Sequence, residues 1–540
     1  MGFYKYTRKD IQNCFVIYLV SLLFFAAIAV FRATPGYMDE SYYLIGARNL
    51  SIGQGFQENI LWNFLDDPQG LPHPSHLYWM PLVSIISAFG MKILGNSYIS
   101  GSLPMAILAA FIPTLMYLLL MAWRKQPFWA ITGAVISFLG GYYLIYYSAV
   151  DAFSLYMLLG YGYFGSVTKL LVNQTQKRQI LFGLLSGLIA GLMHLTRADG
   201  LLWVVMIPLF LLVDSIRRKR NIQAIIVHTF PIVLAAIGAY LLVMSPWYIR
   251  NIRLFGTFTA PGSSSNLFLI TYNDLYAFPS SINTLQRWLE SGMHAIFERR
   301  LEAAGVNLLS LIGVQLLIFQ IPVFLIGVWN NRKKTWTQVN MLGLVILFLF
   351  FTLLFPFAGK RGGYFHAATV FQIFIWAMSI DGLRIMAVKL PLNQTIERKV
   401  FEKFIGVAYI LIFLVVTGVI FSSKMATWKN GAAEILEIHH AIEEQEIGVE
   451  EVVLINDPAT FHWLTERPSI VIPSGNEDTL FSVMERYSAQ YVVLQRNHPP
   501  ELTDLYLSPD HYLEFTIVAD DDQWFLLRKG ETTKKSQSYI

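Results

Sequence analysis

The stretch IQNCFVIYLVSLLFFAAIAVF, from Ile11 to Phe31, decides the fold class of this chain. It carries no charged side chain, and about 20 mostly apolar residues are enough for a helix to cross a bilayer. Lys5, Arg8 and Lys9 precede it, and no small-residue cleavage site follows it. We therefore interpret the stretch as a membrane anchor and not as a removed signal peptide.

The composition of the whole chain supports a membrane protein. Hydrophobic residues make up 55% of the 540 residues and charged residues only 14%, whereas an ordinary soluble domain has about 25% charged residues. A soluble protein of this length needs a charged surface that this composition does not supply, and disorder, coiled coil and collagen are excluded on the same grounds. The single cysteine, Cys14, rules out a disulfide framework and a cysteine metal cluster.

Ten further apolar stretches are long enough to span a membrane, so we predict eleven spans with the first. One more stretch, residues 81–95, is apolar but short, and short stretches more often lie at the membrane surface. The ten predicted spans after the first run at about 99–122, 127–149, 152–172, 179–196, 200–214, 222–246, 305–328, 337–357, 364–383 and 403–422.

The basic residues predict the orientation of these spans. If residues 81–95 do not cross the membrane, the inner segments hold 20 basic and 5 acidic residues, whereas the outer loops hold 11 of each. The positive-inside rule prefers this arrangement. We therefore predict a multi-pass protein of the plasma or inner membrane, with a juxtamembrane helix at 81–95, a cytoplasmic N-terminus and an extracytoplasmic C-terminus.

The character of the chain changes near residue 424, because the tail holds 9 basic and 20 acidic residues. We predict a membrane domain over 1–423, with long outer loops at 33–98 and 247–303, and an extracytoplasmic α/β domain over 424–540. The tail has no Gly-rich phosphate loop, which argues against nucleotide binding there. Its predicted helices lie at 434–444 and 478–487, and its predicted strands at 451–456, 469–473, 491–495, 514–518 and 524–528.

Charged residues next to membrane helices need a reason, because a charge at the bilayer centre costs about 3 kcal/mol or more. The predicted topology sends five groups of polar residues to the outer face. They are Asp39 and Glu40 in PGYMDESYY, Asp151 in SAVDAF, Arg197 and Asp199 in HLTRADG, Arg250 in SPWYIRN, and Lys360, Arg361, Tyr364 and His366 in GKRGGYFH.

Several of these groups also have a purely structural interpretation. Arg197 and Asp199, two residues apart, are compatible with an ion pair that caps helices. Asp151 is compatible with the N-cap of the following helix, and Arg250 with an interfacial arginine that extends its charge to water. The adjacent acids Asp39 and Glu40 are the hardest to explain by packing, because paired carboxylates suit base catalysis or cation binding.

The long outer loops add histidines and aromatic residues. His73 and His76 lie in LPHPSHLYWMPL, where hydrogen bonding within a Pro-rich loop is a simpler interpretation than metal ligation. Trp62, Tyr78 and Trp247 suit both sugar stacking and the aromatic belt of a membrane interface, and the belt is the default. Long loops of this kind usually carry function.

Taken in order, these motifs resemble the membrane glycosyltransferases of the GT-C fold. The resemblance is to the branch that contains protein O-mannosyltransferases, aminoarabinose transferases and the RgtA/B/C/D-like proteins of bacterial cell envelopes. It covers about residues 10–420, and the order of the motifs carries it more than any one of them. The matching motifs are MDESYYLIGARNL, HPSHLYWMPL, the isolated Asp151, TRADG, SPWYIRN and RGGYFH.

The resemblance implies a sugar donor linked to a polyprenyl phosphate and a reaction on the non-cytoplasmic face. Asp39 then corresponds to the proposed catalytic base in the first outer loop, Glu40 adjoins it, and Asp151 matches the acid of the second loop. Some relatives have a Lys-Pro-Pro element where this chain reads LPHPS, which puts a basic contact there in doubt. At the donor phosphate, the resemblance implies Arg250 as first choice and Arg361 as second, together with Lys360 and Tyr364. It implies a substrate-binding or structural role for Arg197, Asp199, His73, His76, His366 and Trp247.

The chemistry of such a transfer assigns a task to each type of residue. A carboxylate accepts the proton of the acceptor hydroxyl as this attacks the anomeric carbon, and guanidinium groups stabilise the departing phosphate. Attack opposite the phosphate predicts inversion. No cofactor is required by the sequence; a divalent metal held by Asp39, Asp151 or His73 is compatible with it.

The sequence therefore predicts a polytopic all-α membrane protein of about eleven transmembrane helices with a small C-terminal α/β domain. The expected activity is that of a hexosyl- or pentosyltransferase in the synthesis of a cell-envelope glycan, glycolipid or glycoprotein. Its expected partners are the lipid-linked donor, a glycan, lipid or protein acceptor and membrane lipids, without nucleic acid. The alternatives are a transporter or flippase of lipid-linked sugars, and a non-catalytic envelope scaffold.

Overall fold

The computed structural model describes residues 5–391 and 397–530. The chain divides into two compact units, each assembled from separate segments. The helical unit comprises the residues up to Ala33, Tyr78–Thr259 and Met293–Ala426. The mixed unit comprises Thr34–Leu77, Ala260–Gly292 and the residues from Thr427 onward. The predicted division of the sequence near residue 424 stays a prediction.

The helices and strands follow one another along the chain with these bounds. The helices are α1 (Arg8–Arg32), α2 (Met38–Ser51), α3 (Leu82–Leu94), α4 (Tyr98–Arg124), α5 (Pro127–Leu139), α6 (Phe153–Val172), α7 (Gln176–Thr196), α8 (Leu201–Arg217), α9 (Ile222–Phe255), α10 (Leu285–Glu290), α11 (Met293–Ser310), α12 (Ile321–Asn331), α13 (Thr335–Leu349), α14 (Pro356–Ala358), α15 (Tyr364–Ala367), α16 (Gln372–Lys389), α17 (Arg398–Glu444), α18 (Pro458–Thr465), α19 (Glu477–Arg486) and α20 (Thr503–Leu507). The strands are β1 (Gln57–Glu58), β2 (Ile60–Leu61), β3 (His73–Pro74), β4 (Val453–Leu454), β5 (Ser469–Ile470), β6 (Tyr491–Gln495), β7 (Phe515–Asp521) and β8 (Trp524–Lys529).

The predicted fold class of a multi-pass helical membrane protein is confirmed. Within the residues that the structure describes, nine helical stretches are long and apolar enough to cross a membrane. Three shorter apolar helices, α3, α5 and α12, accompany them. The helix α3 has 13 residues and corresponds to the segment 81–95 that the sequence analysis placed at the membrane surface.

The stretch 127–149, predicted as one span, is divided in the structure. The helix α5 ends at Leu139, because Gly140 and Gly141 both adopt left-handed backbone conformations, with φ of 66° and 62°. Such conformations end helices and favour glycine. A short 3₁₀ turn over Gly141–Tyr146 then leads to the segment that carries Asp151.

The stretch 305–328 is also interrupted. A π-helical turn over Leu311–Gln315 follows α11, and Leu317 and Ile318 then adopt φ of 47° and 58° before α12 begins. Irregular backbone at membrane depth is tolerated where protein groups satisfy it. Here the side-chain amide of Gln372 donates to the carbonyl oxygen of Gln315 at 3.1 Å, and both side chains are buried.

Close glycine contacts hold α12 against α16. A Cβ atom on Gly382 would lie 1.7 Å from the carbonyl oxygen of Val323, and one on Gly327 would lie 2.0 Å from that of Met378. Because lipid gives little hydrophobic drive for helix association, small residues that let backbones approach are the usual basis of such packing. This pair of helices is therefore a tightly packed part of the helical unit.

The mixed unit contains a six-stranded sheet in the order β2-β5-β4-β6-β8-β7. The strand β2, from the first long loop, pairs in parallel with β5 of the tail, with Ile60 opposite Ser469. Helix α19 and strands β4 to β8 occur where the tail sequence predicts them, within a few residues, and α18 is an addition. The core of the sheet buries Leu454, Ile470, Val492 and Leu527 completely.

Candidate active site

The acidic pair lies in the first turn of α2, in the mixed unit. Carboxylates are favoured there by the partial positive charge of a helix N-terminus. The two acids differ in exposure, because Glu40 is completely buried whereas Asp39 is half-buried. The Glu40 carboxylate accepts the backbone N–H of Gly36 at 2.9 Å, which fixes its position at the entrance of the helix. Asp39 is thus the more accessible acid of the pair.

The two loop histidines are held by hydrogen bonds within the mixed unit. Both ring nitrogens of His73 face carbonyl oxygens, that of Ile60 at 2.8 Å and that of Pro74 at 3.0 Å. Burial lowers the pKa of His73, and these two contacts act in the opposite direction. A metal ion on His73 would have to displace one of them. His76 donates its backbone N–H to the hydroxyl of Tyr42, on α2, at 2.6 Å.

A half-buried carboxylate joins the two long loops of the mixed unit. The Asp66 side chain accepts the backbone N–H of Gly262 at 2.8 Å. Burial raises the pKa of Asp66 to about 6, and the Gly262 contact lowers it in part. Gly262 leaves no room for a side chain, because a Cβ atom there would lie 2.6 Å from the backbone of Leu65. The contact therefore ties a residue after β2 to the segment before α10.

Asp151 and His366 lie together in the helical unit, although 214 residues separate them in the sequence. The Asp151 carboxylate is 2% exposed, and one of its oxygens lies 3.8 Å from Nδ1 of His366. Its other oxygen accepts the backbone N–H of Ala152, next to the start of α6. Asp151 is therefore not the N-cap that its position suggested, because the N-cap of α6 is Ala152 and has no side-chain capping bond. Its second oxygen faces a histidine instead. Carboxylate and imidazole at this separation are suitable as two ligands of one divalent cation.

Arg197 and Asp199 form the ion pair that their spacing suggests. Nε of Arg197 donates to Oδ1 of Asp199 at 2.8 Å, and both side chains are largely buried. The turn between α7 and α8 is tight, since a Cβ atom on Gly200 would lie 2.3 Å from the backbone nitrogen of His194. Nη2 of Arg197 also points to the carbonyl oxygen of Gly363, at 3.4 Å. The structural pair therefore also contacts the segment that carries the predicted phosphate-binding residues.

The segment Lys360–Gly363, which we name the KRGG segment, lies in a π-helical turn between α14 and α15. Gly362 has φ of 101°, a conformation that L side chains rarely adopt, and a Cβ atom on Gly363 would lie 2.5 Å from the carbonyl oxygen of Ala358. Lys360 forms an ion pair with Glu302 on α11. The ring of Tyr364 is completely buried against Phe348 and Phe351.

Arg250 lies within α9, because this helix continues to Phe255 and not only to residue 246 as predicted. Its guanidinium stacks over the ring of Trp247, 4.4 Å from the ring centroid, and donates to the side chain of Asn251 at 3.1 Å. Asn251 in turn donates to the carbonyl oxygen of Phe258 at 3.0 Å. Arg250 is thus oriented by its own helix and by the start of the second loop.

The structure adds residues that the sequence analysis did not single out. Arg32, at the end of α1, is 4% exposed and donates to the carbonyl oxygen of Ile145, in the segment before Asp151. The sequence feature that could have identified Arg32 is its charge directly after the first apolar span. The hydroxyl of Tyr156 donates to Asp199 at 2.8 Å. A tyrosine inside an apolar span gave no comparable signal, since buried tyrosines are common in helix cores.

Two solved structures share the fold of this chain over nearly its whole length. Both are of ArnT from Cupriavidus metallidurans. The structure bound to undecaprenyl phosphate has a TM-score of 0.50 and 13% sequence identity, and the match covers 97% of this chain and 98% of that one. The apo structure has a TM-score of 0.52 and 13% identity, over 96% of this chain and 97% of that one.

No family model matches the chain, and no curated protein does. At 13% identity the likeness to ArnT establishes the fold alone. It extends over the membrane helices and the tail, because almost the whole of each chain is covered. The chain has the GT-C fold that the order of its sequence motifs predicts.

Proposed function

We propose that this protein is a glycosyltransferase that moves a sugar from a polyprenyl-phosphate donor to a hydroxyl group of an acceptor at the outer membrane face. One observation carries the proposal. In the helical unit, Asp151 faces His366 and Arg197 contacts Gly363, so that two motifs distant in sequence both contact the motif of residues 360–366. The shared fold gives support, because one ArnT structure is bound to undecaprenyl phosphate.

Asp39 is proposed as the general base. Transfer requires a group that takes the proton of the acceptor hydroxyl as the bond to the anomeric carbon forms. The half-buried Asp39 suits this task better than Glu40, whose carboxylate holds the N–H of Gly36. Asp151 is proposed to orient the acceptor, a basic partner or a metal ion, together with His366. With an attack opposite the leaving phosphate, the product has inverted configuration.

The donor phosphate is proposed to bind the basic residues of the helical unit. The departing polyprenyl phosphate gains negative charge in the transition state, which guanidinium groups stabilise by paired hydrogen bonds. Arg250 is the first choice, because Trp247 and Asn251 already orient its guanidinium. Arg361 is the second, with Lys360 and Tyr364 beside it in sequence. A divalent metal, where bound, would supply Lewis-acid charge stabilisation at Asp151 and His366.

The experiment that tests the base compares Asp39→Asn with Glu40→Gln. Membranes that contain each full-length variant receive a lipid extract of the source cells with isotopically labelled sugars, and transfer is followed by mass spectrometry. We expect Asp39→Asn to reduce transfer by at least about 100-fold with unchanged expression and melting temperature. Glu40→Gln, which disturbs a helix entrance, should lower the melting temperature. Normal turnover by Asp39→Asn would remove the assigned base.

A flippase of lipid-linked sugars is the second candidate from the sequence. The break between α11 and α12, with its buried Gln315, resembles the discontinuous helices that transporters use at their binding sites. Reconstituted vesicles distinguish the two functions, because a flippase moves labelled lipid across the bilayer without forming a new glycosidic bond. If the chain is instead a non-catalytic envelope scaffold, deletion of residues 424–540 would abolish its function, whereas Asp39→Asn would change nothing.

A further inference from the structure

A line of buried and partly buried hydrogen bonds connects Trp203 on α8 to the KRGG segment. It begins at Trp203 on α8, whose indole N–H donates to the hydroxyl oxygen of Tyr156 on α6 at 2.9 Å. The Tyr156 hydroxyl donates to Oδ2 of Asp199 at 2.8 Å. Trp203 and Tyr156 are both completely buried, and Asp199 is 8% exposed.

The direction of each hydrogen bond in this line is fixed by chemistry. An indole N–H only donates, so the Tyr156 oxygen is the acceptor and its own proton is left for Asp199. Asp199, as a carboxylate, only accepts, and each of its oxygens takes one donor: Tyr156 on Oδ2 and Nε of Arg197 on Oδ1. The carboxylate therefore cannot rotate without breaking a charge-assisted bond in a buried place.

The fixed carboxylate in turn orients the guanidinium of Arg197. The guanidinium is planar, so the bond from Nε to Asp199 determines the direction in which Nη2 points. That nitrogen reaches the carbonyl oxygen of Gly363 at 3.4 Å. Gly363 is the last residue of the KRGG segment, two positions after Arg361 and three before His366.

We infer that Tyr156 is a positioning residue, which holds the KRGG segment in its place through Asp199 and Arg197. The inference rests on the proposed function in one respect, namely that this segment contacts the donor phosphate. Tyr156 itself is not proposed to touch substrate. Its role is to keep the Asp199 carboxylate, and with it the Arg197 guanidinium, in one orientation.

A second buried tyrosine on the same helix provides a matched control. Tyr163 is also completely buried and also bonds to Trp203, but its hydroxyl donates to the backbone carbonyl oxygen of Trp203 at 2.6 Å. Tyr163→Phe therefore removes one buried hydroxyl from α6 next to Trp203, as Tyr156→Phe does. Only Tyr156→Phe removes a donor from Asp199.

The experiment uses the full-length chain in lipid nanodiscs, with three measurements on wild type, Tyr156→Phe and Tyr163→Phe. We expect both variants to lower the melting temperature by similar amounts. Tyr156→Phe alone should weaken binding of undecaprenyl phosphate by about tenfold, the effect of one lost hydrogen bond to a charged group, and speed amide hydrogen exchange of residues 359–363. Equal binding and equal exchange in the two variants would overturn the positioning role.

The hydrogen-exchange measurement separates this inference from the proposed function. If wild type does not bind undecaprenyl phosphate, the proposed donor is wrong, yet faster exchange of 359–363 in Tyr156→Phe still supports the positioning role. If Tyr156→Phe does not fold, Arg197→Lys replaces it, because a lysine ammonium lacks the planar fork that reaches Asp199 and Gly363 together. Unchanged exchange of 359–363 in that variant would overturn the inference.

Discussion

Arg250 and Arg332 make the same kind of stacking contact in two different places. Each follows a tryptophan by three residues and stacks over its ring, at 4.4 Å from the centroid of Trp247 and at 4.2 Å from that of Trp329. Only Arg250 is proposed to bind the donor phosphate, whereas Arg332 lies in a loop that the basic-residue pattern places inside. Arg332 is therefore a control for the arginine proposed at the donor phosphate, because both guanidinium groups lie over a tryptophan ring.

Substitution of each arginine by lysine tests this distinction. Lysine keeps the charge but loses the two parallel hydrogen bonds that a guanidinium gives a phosphate. We expect Arg250→Lys to weaken undecaprenyl phosphate binding by about tenfold or more, and Arg332→Lys to leave it unchanged. Titration of the purified variants in nanodiscs measures both. Equal affinities of Arg250→Lys and wild type would exclude Arg250 from the phosphate site.

Asp66 predicts a pH dependence of stability. Its pKa is about 6 in the folded chain, against an ordinary value of 3.8, chiefly because the carboxyl is buried. Between these two values the folded state keeps a proton that the unfolded state has lost, so this group makes the free energy of unfolding fall as the pH rises. Above about pH 6 the stability that the protonated Asp66 contributes is completely lost.

Asp66→Asn should remove this contribution, because the amide can still accept the Gly262 N–H but does not ionise. We expect the melting temperature of the variant, relative to wild type, to rise between about pH 4 and 6.5 and then to stay level. Thermal denaturation of both proteins across this range measures the difference. A difference that does not change with pH would show that Asp66 does not titrate in this window.

At the scale of elements, the contact between α12 and α16 depends on the absence of a side chain at Gly382. We expect Gly382→Ala to cost more than about 2 kcal/mol of stability, because the two backbones must separate. Gly305→Ala on α11 is the control, since no atom lies within 4 Å of the added Cβ, and it should be neutral or stabilising by up to about 1 kcal/mol. The melting temperatures of the two variants and wild type test this prediction. Equal decreases of the melting temperature in Gly382→Ala and Gly305→Ala would refute the close contact.

The elements also show how far the sequence predicts the fold. Apolar runs predicted most helices, because a membrane-spanning backbone has to satisfy its own hydrogen bonds. The end of α5 has a local signal in the adjacent glycines Gly140 and Gly141. The break at Leu317–Ile318 had none, since neither residue favours positive φ; its cause is tertiary, in the buried contacts of Gln315.

The candidate site residues were predictable in the same uneven way. Asp39, Asp151, Arg197 and His366 were singled out because charged and polar residues are scarce in this chain and stand out between apolar spans, and their roles stay predictions. The contact of Asp151 with His366 required the fold, because 214 residues separate them. The hydrogen bond from Tyr156 to Asp199 was not predictable, since nothing in an apolar helix sequence marks a tyrosine whose hydroxyl has a carboxylate partner.

At the scale of the whole molecule, the orientation in the membrane is a prediction that cysteine labelling tests. Cys14 is replaced by serine, and single cysteines are then introduced at two exposed positions, Asp510→Cys in the tail and Lys177→Cys at the start of α7. A membrane-impermeant maleimide should label Asp510→Cys in intact cells, and Lys177→Cys only after permeabilisation. The reverse pattern would invert the topology and place the proposed site on the cytoplasmic face.

The shared fold supports the proposed activity only in combination with the candidate site residues. The likeness to ArnT covers 97% of this chain at 13% identity, so it shows the fold. The chemistry has to be argued from the residues of the site. In a chain with 14% charged residues, the scarce acids and arginines named above are the groups that we propose for the transfer chemistry. The central claim is therefore that the chain breaks the bond between a sugar and a polyprenyl phosphate and forms a new glycosidic bond.

The most direct test is to incubate the purified chain in nanodiscs with labelled lipid-linked sugars and an envelope extract as acceptor, and to measure both products by mass spectrometry. We predict that polyprenyl phosphate and a newly glycosylated acceptor appear in equal amounts with wild type, and that neither appears with Asp39→Asn. Intact lipid-linked sugar after incubation with wild type, with no new glycosidic bond, would contradict the claim.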